Sequence, residues 1–174
     1  MIQRICSICH TTLGPPLETE KQEIHYSHGI CRECLGEYLE GSGIPMIDFI
    51  DSLPVPIFVV DGAGRIQSAN KLGRETVSKD MDHITGYLGG EVFQCHYATL
   101  PGGCGQTLHC KSCVIRNTVM ATHATGEPCI RIPACLDLDT IEGNRRIRFL
   151  ISTEMIGDAV LLFIENAQLL QGDT

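Results

Sequence analysis

Apolar positions along this chain change their period several times, and each change predicts an element. At residues 46–53 the apolar side chains fall at 46, 47, 49, 50 and 53, which suits one short amphipathic helix. Pro54 and Pro56 end it. Ile57-Phe-Val-Val60 is a short β-branched run closed by Asp61-Gly-Ala-Gly64, a hairpin turn signal, and Arg65-Ile-Gln-Ser-Ala69 continues as its partner strand to Asn70. From Lys71 to Phe93 no single period holds, and short helices broken at Gly86, Gly89 and Gly90 are expected. Cys110 to about Thr125 predicts a longer helix with Ile115, Val119 and Met120 near one face, stopped by Gly126 and Pro128.

Three strand-like stretches follow. The first runs from Cys129 to Leu138 and alternates imperfectly. The second, Arg146-Ile-Arg-Phe-Leu-Ile-Ser-Thr153, puts Ile147, Phe149 and Ile151 on one side. The third, Ala159-Val-Leu-Leu-Phe-Ile164, is the most apolar. Two strands, short helices, a long helix and three strands predict an antiparallel sheet with its helices between the strand groups, an α+β fold.

The first 40 residues differ from the rest. They carry two CxxC pairs and little that could build a core, and a block this short needs a metal or crosslink to fold. Gly41-Ser-Gly43-Ile-Pro45 reads as a linker. The expected organisation is a four-cysteine module at 1–40, a sensor-like domain at 44–167 with a cysteine-rich loop at 95–113, and a tail at 168–174.

Composition narrows the function. The net charge is −8, from 13 basic and 21 acidic residues, which argues against nucleic acid as a partner. Arg145-Arg146-Ile-Arg148 is the one dense basic run, and on a strand it reads as a solvated face. No apolar run reaches the ~18 residues of a membrane span, and the N-terminus has no stretch resembling a signal peptide. A cytoplasmic protein with no membrane partner is expected. In a reducing compartment its 10 cysteines point to metal ligation or redox chemistry before permanent disulfides.

Cys6-x2-Cys9-x21-Cys31-x2-Cys34 is close to zinc-ribbon spacing. Each CxxC presents two sulfurs to one ion, and two pairs complete a tetrahedral shell with no open position. Zinc there would hold structure and do no catalysis. His10 and His28 are weaker alternative ligands. Cys6-Ser-Ile-Cys9-His10 is formally a haem-attachment motif, but attachment requires export, and the second CxxC already supplies another use for Cys6 and Cys9.

Cys95, Cys104, Cys110 and Cys113 form a second quartet in a glycine-rich segment. Cys110 and Cys113 are expected in the first turn of a helix, where exposed N–H groups and the helix dipole favour thiolate. Gly102, Gly103 and Gly105 allow positive φ and a close backbone approach. Four thiolates fit an iron–sulfur cluster or zinc, and a reversible disulfide or free thiols are the third reading. His96 and His109 adjoin ligand candidates and suit outer hydrogen bonds. Cys129 and Cys135, six apart on a strand, are expected on one face as ordinary buried thiols or as a redox pair.

Residues Phe49 to Asn70, Phe-Ile-Asp-Ser-Leu-Pro-Val-Pro-Ile-Phe-Val-Val-Asp-Gly-Ala-Gly-Arg-Ile-Gln-Ser-Ala-Asn, resemble the first helix, first hairpin and terminal asparagine of PAS domains. The element order extends that resemblance over about 44–167. Pro101-Gly-Gly-Cys104-Gly-Gln-Thr107 with Cys110-Lys-Ser-Cys113 is similar to a cysteine pattern in PAS domains of bacterial sensor kinases. Ser27-His-Gly-Ile-Cys31-Arg-Glu-Cys34-Leu35 resembles a motif found beside PAS or receiver domains in bacterial signalling proteins. That family more often has proline at the position of Arg32 and a basic stretch at His10-Thr-Thr12; all four thiols are kept.

The resemblance implies a PAS-like antiparallel sheet and a non-catalytic sensory or adaptor protein. It would sense redox state, oxygen or a small ligand and signal in trans, with a histidine kinase or a second copy as partner. The apolar face at 46–53 serves either a homodimer or the chain's own sheet. The competing class is thiol redox catalysis or electron transfer, which the number of thiols favours. No CxxC follows a strand in a βαβ unit, which counts against it.

Overall fold

A computed structural model of the chain describes residues 1–18, 24–39, 46–140 and 143–170. Its contacts divide the chain into two units, Met1–Pro54 and Val55–Thr174. The expected linker at 41–45 and the last residues of the expected tail lie outside the described residues.

The smaller unit contains strands that its polar sequence does not announce. Strand β1 (Ile2–Cys6) pairs in parallel with β2 (His25–Gly29), with Cys6 opposite Gly29. On its other side β1 meets Leu17 and Thr12 through isolated bridges at Ile2 and Ile5. After β1 the chain turns back at once: His10 donates its backbone N–H to the Cys6 carbonyl at 3.0 Å and takes φ 58. Helix α1 (Arg32–Leu39) starts directly after Cys31, and α2 (Met46–Asp51) forms where the apolar spacing predicts it. Phe49, Ile50 and Leu53 are buried, so the apolar face is used.

The larger unit starts with strands β3 (Ile57–Val60) and β4 (Ile66–Ala69). Helices α3 (Lys71–Val77), α4 (Gly89–Val92) and α5 (Val114–Thr125) follow, then strands β5 (Cys129–Thr140), β6 (Gly143–Ile156) and β7 (Ala159–Leu170). The strands make one five-stranded antiparallel sheet in the order β4-β3-β7-β6-β5. The first hairpin thus inserts beside the last strand, and the helical segment crosses from β4 to the opposite edge at β5. This is an α+β fold with the element order and antiparallel sheet that the sequence resemblance implies. Phe58, Ile66, Leu136, Ile151 and Leu162 form the buried layer, joined by Val119 of α5. Each such side chain stabilises the fold by roughly 1.5–3 kcal/mol through burial.

Two local expectations need correction. The helix does not begin at Cys110. Leu108–Ser112 is a separate 3-10 turn, and Cys113 is the residue that caps α5. The physical cause is Thr107, whose hydroxyl accepts the Cys110 N–H at 3.4 Å and starts the tighter turn first. Nor are Cys129 and Cys135 equivalent buried thiols. The register shifts between Cys129 and Ile132, with Arg131 at φ 50, which breaks the two-residue alternation. Cys129 is half-buried and Cys135 is exposed.

Candidate thiolate centres

In the smaller unit the turn after β1 and the start of α1 bring Cys6, Cys9, Cys31 and Cys34 together. Their four sulfurs all lie within 4.8 Å of one another. A tetrahedral zinc shell with bonds of about 2.3 Å has ligand–ligand edges of roughly 3.8 Å, so the arrangement fits one ion. Cys9 Sγ and Cys31 Sγ are already 3.6 Å apart.

Backbone amides point at these sulfurs. Ile8 and Cys31 donate to Cys6 Sγ at 3.5 and 3.4 Å, and Cys34 donates to Cys31 Sγ at 3.3 Å. Such donors stabilise thiolate, the ligand form. Cys9 is brought down to about 6 by the Thr11 hydroxyl, 3.2 Å away, and by the Thr11 backbone. The Cys34 amide pulls Cys31 down, but burial and the Cys9 thiol outweigh it and hold Cys31 above the usual thiol range. Burial also pushes Cys34 up. In the absence of an ion the quartet therefore holds its protons unevenly, and a dication would have to displace them. His10 and His28 do not join the group.

The second quartet lies in the larger unit. Cys95, Cys104, Cys110 and Cys113 all line one cavity of about 380 Å³. Its deeper wall is apolar, with Val60, Ile66, Phe93, Val119 and Leu162, and Arg116 adds a cation. Among the described residues, no group of three or more metal-ligating side chains is gathered as closely as the N-terminal quartet. The structure brings these four thiols to one space without drawing them onto one point.

Three of the four sulfurs receive donors. Gly105 N–H reaches Cys110 Sγ at 3.1 Å, and Thr107 Oγ1 lies 3.1 Å from the same sulfur. Gly105 has φ 86, so a glycine is needed to aim that amide. Tyr97 and Ala98 amides face Cys95, and the Gly90 amide faces Cys104. The consequences differ. Burial would raise Cys110, but Thr107, the Gly105 amide and the Arg116 guanidinium outweigh it and lower it below the ordinary thiol value. For Cys95 and Cys104 burial dominates and both are raised. The quartet pairs a favoured thiolate with two thiols that need a counter-charge to ionise.

Sequence reasoning missed the part played by Gly90 and Tyr97. Gly90 is so close to Cys104 that a Cβ there would stand 2.7 Å from Sγ. Its glycine-glycine context reads as a helix breaker and carries no signal of a thiol neighbour fourteen residues on. Cys135 also lines the cavity, which its strand position did not suggest.

No family model and no curated protein matches this chain. Among solved structures it is similar to the photoactive yellow protein domain of the sensor histidine kinase Ppr from Rhodospirillum centenum, at 16% identity and TM-score 0.43, covering 71% of this chain and 95% of that one. It is similar to the PAS domain of Bordetella pertussis BvgS at 19% identity and TM-score 0.42, covering 71% and 85%. It is also similar to the PAS domain of an HTR-like protein from Haloarcula marismortui at 13% identity and TM-score 0.40, covering 80% and 100%.

Proposed function

We propose that the chain is a non-catalytic sensory module of a signalling system. The larger unit detects redox state, oxygen or a small ligand through its thiol-lined cavity and passes the change in trans. The receiver is a signalling protein such as a histidine kinase, or a second copy of the chain. One observation carries this reading: four thiols face a single cavity inside a PAS-like domain, and three of them are met by backbone N–H donors. Donors of that kind tune cluster potentials and hold thiolates ready for a metal.

The two quartets suit different centres. The N-terminal sulfurs are spaced for one zinc ion, whose role is to hold the smaller unit folded. The cavity sulfurs stand around a space, which favours a centre that brings its own bridging sulfides over a bare ion. Among the described residues no helix is long and apolar enough to cross a membrane.

Metal and acid-labile sulfide content of protein purified without oxygen tests both assignments. Iron and sulfide that vanish in Cys110→Ser, with one zinc per chain retained, are expected. Two zinc ions in a colourless protein would remove the cluster. A metal-free cavity with a disulfide that forms and breaks at Cys110 would move the protein to the thiol-redox class.

A further inference from the structure

The thiol loop is tied to the open edge of the sheet by one chain of side chains. Tyr97 sits in the 3-10 turn His96–Ala98, two residues after Cys95. Its ring stacks on His109, with centroids 4.1 Å apart and planes 15° from parallel. His109 immediately precedes Cys110. The Tyr97 hydroxyl donates to Asp137 Oδ2 of β5 at 3.2 Å. Asp137 in turn accepts from Arg146 of β6, Nε at 2.6 Å and Nη2 at 3.1 Å.

The strand register completes the path. Asp137 and Arg146 are direct cross-strand partners, and on its other side Arg146 lies opposite Leu170 at the end of β7. The second tie of the loop to the sheet is the bridge between Cys95 and Leu138, next to Asp137. One phenol therefore touches the neighbour of Cys110 on its face and the sheet through its hydroxyl, and follows Cys95 closely in the chain. Tyr97 thus stands between the backbone that carries Cys95 and the residue before Cys110.

The strengths of the links are unequal in a useful way. Arg146 holds Asp137 with two charge-assisted bonds, one short at 2.6 Å and one at 3.1 Å, its guanidinium keeping that carboxyl below the usual range. Tyr97 is the third and longest partner. The loop around it is built of 3-10 turns and left-handed glycines at 102, 103 and 105. The single hydrogen bond from Tyr97 to this pair, whose Arg146 side chain is 58% exposed and whose Asp137 is 23% exposed, is the link that a rearrangement of the loop would change.

We infer that Tyr97 is a positioning residue that couples the state of the cavity thiols to the β5–β6–β7 edge, through Asp137 and Arg146. This rests on the sensory reading above. The path ends where Arg146 pairs with Leu170 in the strand register.

Cadmium(II), a thiophilic ion, serves as the probe on the metal-free full chain, with amide hydrogen exchange read peptide by peptide. Filling both quartets is expected to slow exchange at 135–148 and 166–170 by about fivefold or more, the low end of coupling between linked sites. Cys110→Ser, which empties only the cavity, should abolish that slowing. Tyr97→Phe keeps the ring on His109 and should bind as much cadmium yet lose the slowing at both segments. Equal slowing in Tyr97→Phe overturns the coupling and leaves the sensory reading standing. No slowing in the wild type with both quartets filled also overturns it. Cadmium at one quartet only, with the cavity empty, removes the coupling and the thiol-centre reading together.

Discussion

Asn70 and Ile57 hold each other in two directions. Asn70 Oδ1 accepts the Ile57 N–H at 2.9 Å, and the Asn70 backbone N–H donates to the Ile57 carbonyl at 3.0 Å. The same Oδ1 caps α3 by accepting from Gly73 N–H at 2.8 Å, and Nδ2 donates to the Val55 carbonyl at 2.8 Å. A fully buried amide thus fixes the start of β3, the end of β4 and the start of α3.

Replacing Asn70 by alanine strands two buried N–H donors and a carbonyl. Each buried group left unsatisfied costs about 1–3 kcal/mol. Asn70→Ala should lower stability by roughly 2–4 kcal/mol. Urea unfolding followed by circular dichroism checks it: the midpoint should fall while the slope stays constant. A loss below about 0.5 kcal/mol, the scale of ordinary surface substitutions, would show that water replaces the amide.

The turn of the first hairpin makes a pH-dependent prediction. Asp61 Oδ1 accepts from the Ala63 and Arg65 amides at 2.8 and 2.9 Å, and Oδ2 from Gln67 at 2.6 Å. Burial alone would raise this carboxyl, but those donors outweigh it and set it below its ordinary 3.8. With the folded value depressed, the contribution is present above the unfolded value and is lost as pH falls through the folded one. Asp61→Ala should cost about 1 kcal/mol at pH 7, and the gap to wild type should narrow below pH ~4. Melting curves of both proteins at several pH values decide it; a gap independent of pH would contradict the assignment.

The hairpin, the three final strands and the α+β order were legible because each rests on a period or a turn signal, such as Asp61-Gly-Ala-Gly64 between two apolar runs. The pairing of β1 with β2 was not, because His-Tyr-Ser-His-Gly has no apolar alternation. The start of α5 was misjudged by four residues since a hydroxyl, Thr107, captured the Cys110 amide. The face of Cys135 was misjudged because one left-handed residue, Arg131, resets the alternation of β5. The N-terminal quartet was evident from spacing; the other four thiols share one cavity without being drawn to one point. Gly105 is one of the glycines whose spacing predicts a close backbone approach, and its N–H reaches Cys110 Sγ; the donors at Gly90 and Tyr97 were hidden because they act through backbone N–H groups, which leave little trace in side-chain pattern.

Gly90 offers a test that separates the cavity centre from the fold. It lies in α4, and no positive φ demands a glycine there. Alanine would favour the helix by roughly 0.5–1 kcal/mol. Yet its Cβ would meet Cys104 Sγ at 2.7 Å and Cys104 Cβ at 3.1 Å. Overpacking against Cys104 and the Ala98 Cβ, 3.2 Å away, offsets that gain, so Gly90→Ala should cost the metal-free protein no more than about 1–3 kcal/mol while metal at the cavity weakens on the order of tenfold. The N-terminal site should keep its ion. Wild-type affinity at both sites would mean that Cys104 is not a ligand.

The ion pair of Arg131 and Glu165 bears on why the β5 bulge persists. Arg131 Nη1 lies 2.8 Å from Glu165 Oε2, and the two side chains are 8% and 6% exposed. Ser152 donates to Glu165 Oε1 at 2.7 Å and accepts the Arg131 N–H at 3.0 Å. Three strands are thus pinned at one point, and the left-handed Arg131 is held by its own side chain and backbone together. Removing one charge leaves the other buried, so Glu165→Ala should cost about 3–5 kcal/mol. The double change Arg131→Met with Glu165→Leu leaves no stranded charge and should recover most of that loss. Urea midpoints of the single and double variants give the coupling directly. If the double variant is as unstable as the sum of both single changes, the pair is not what fixes the bulge.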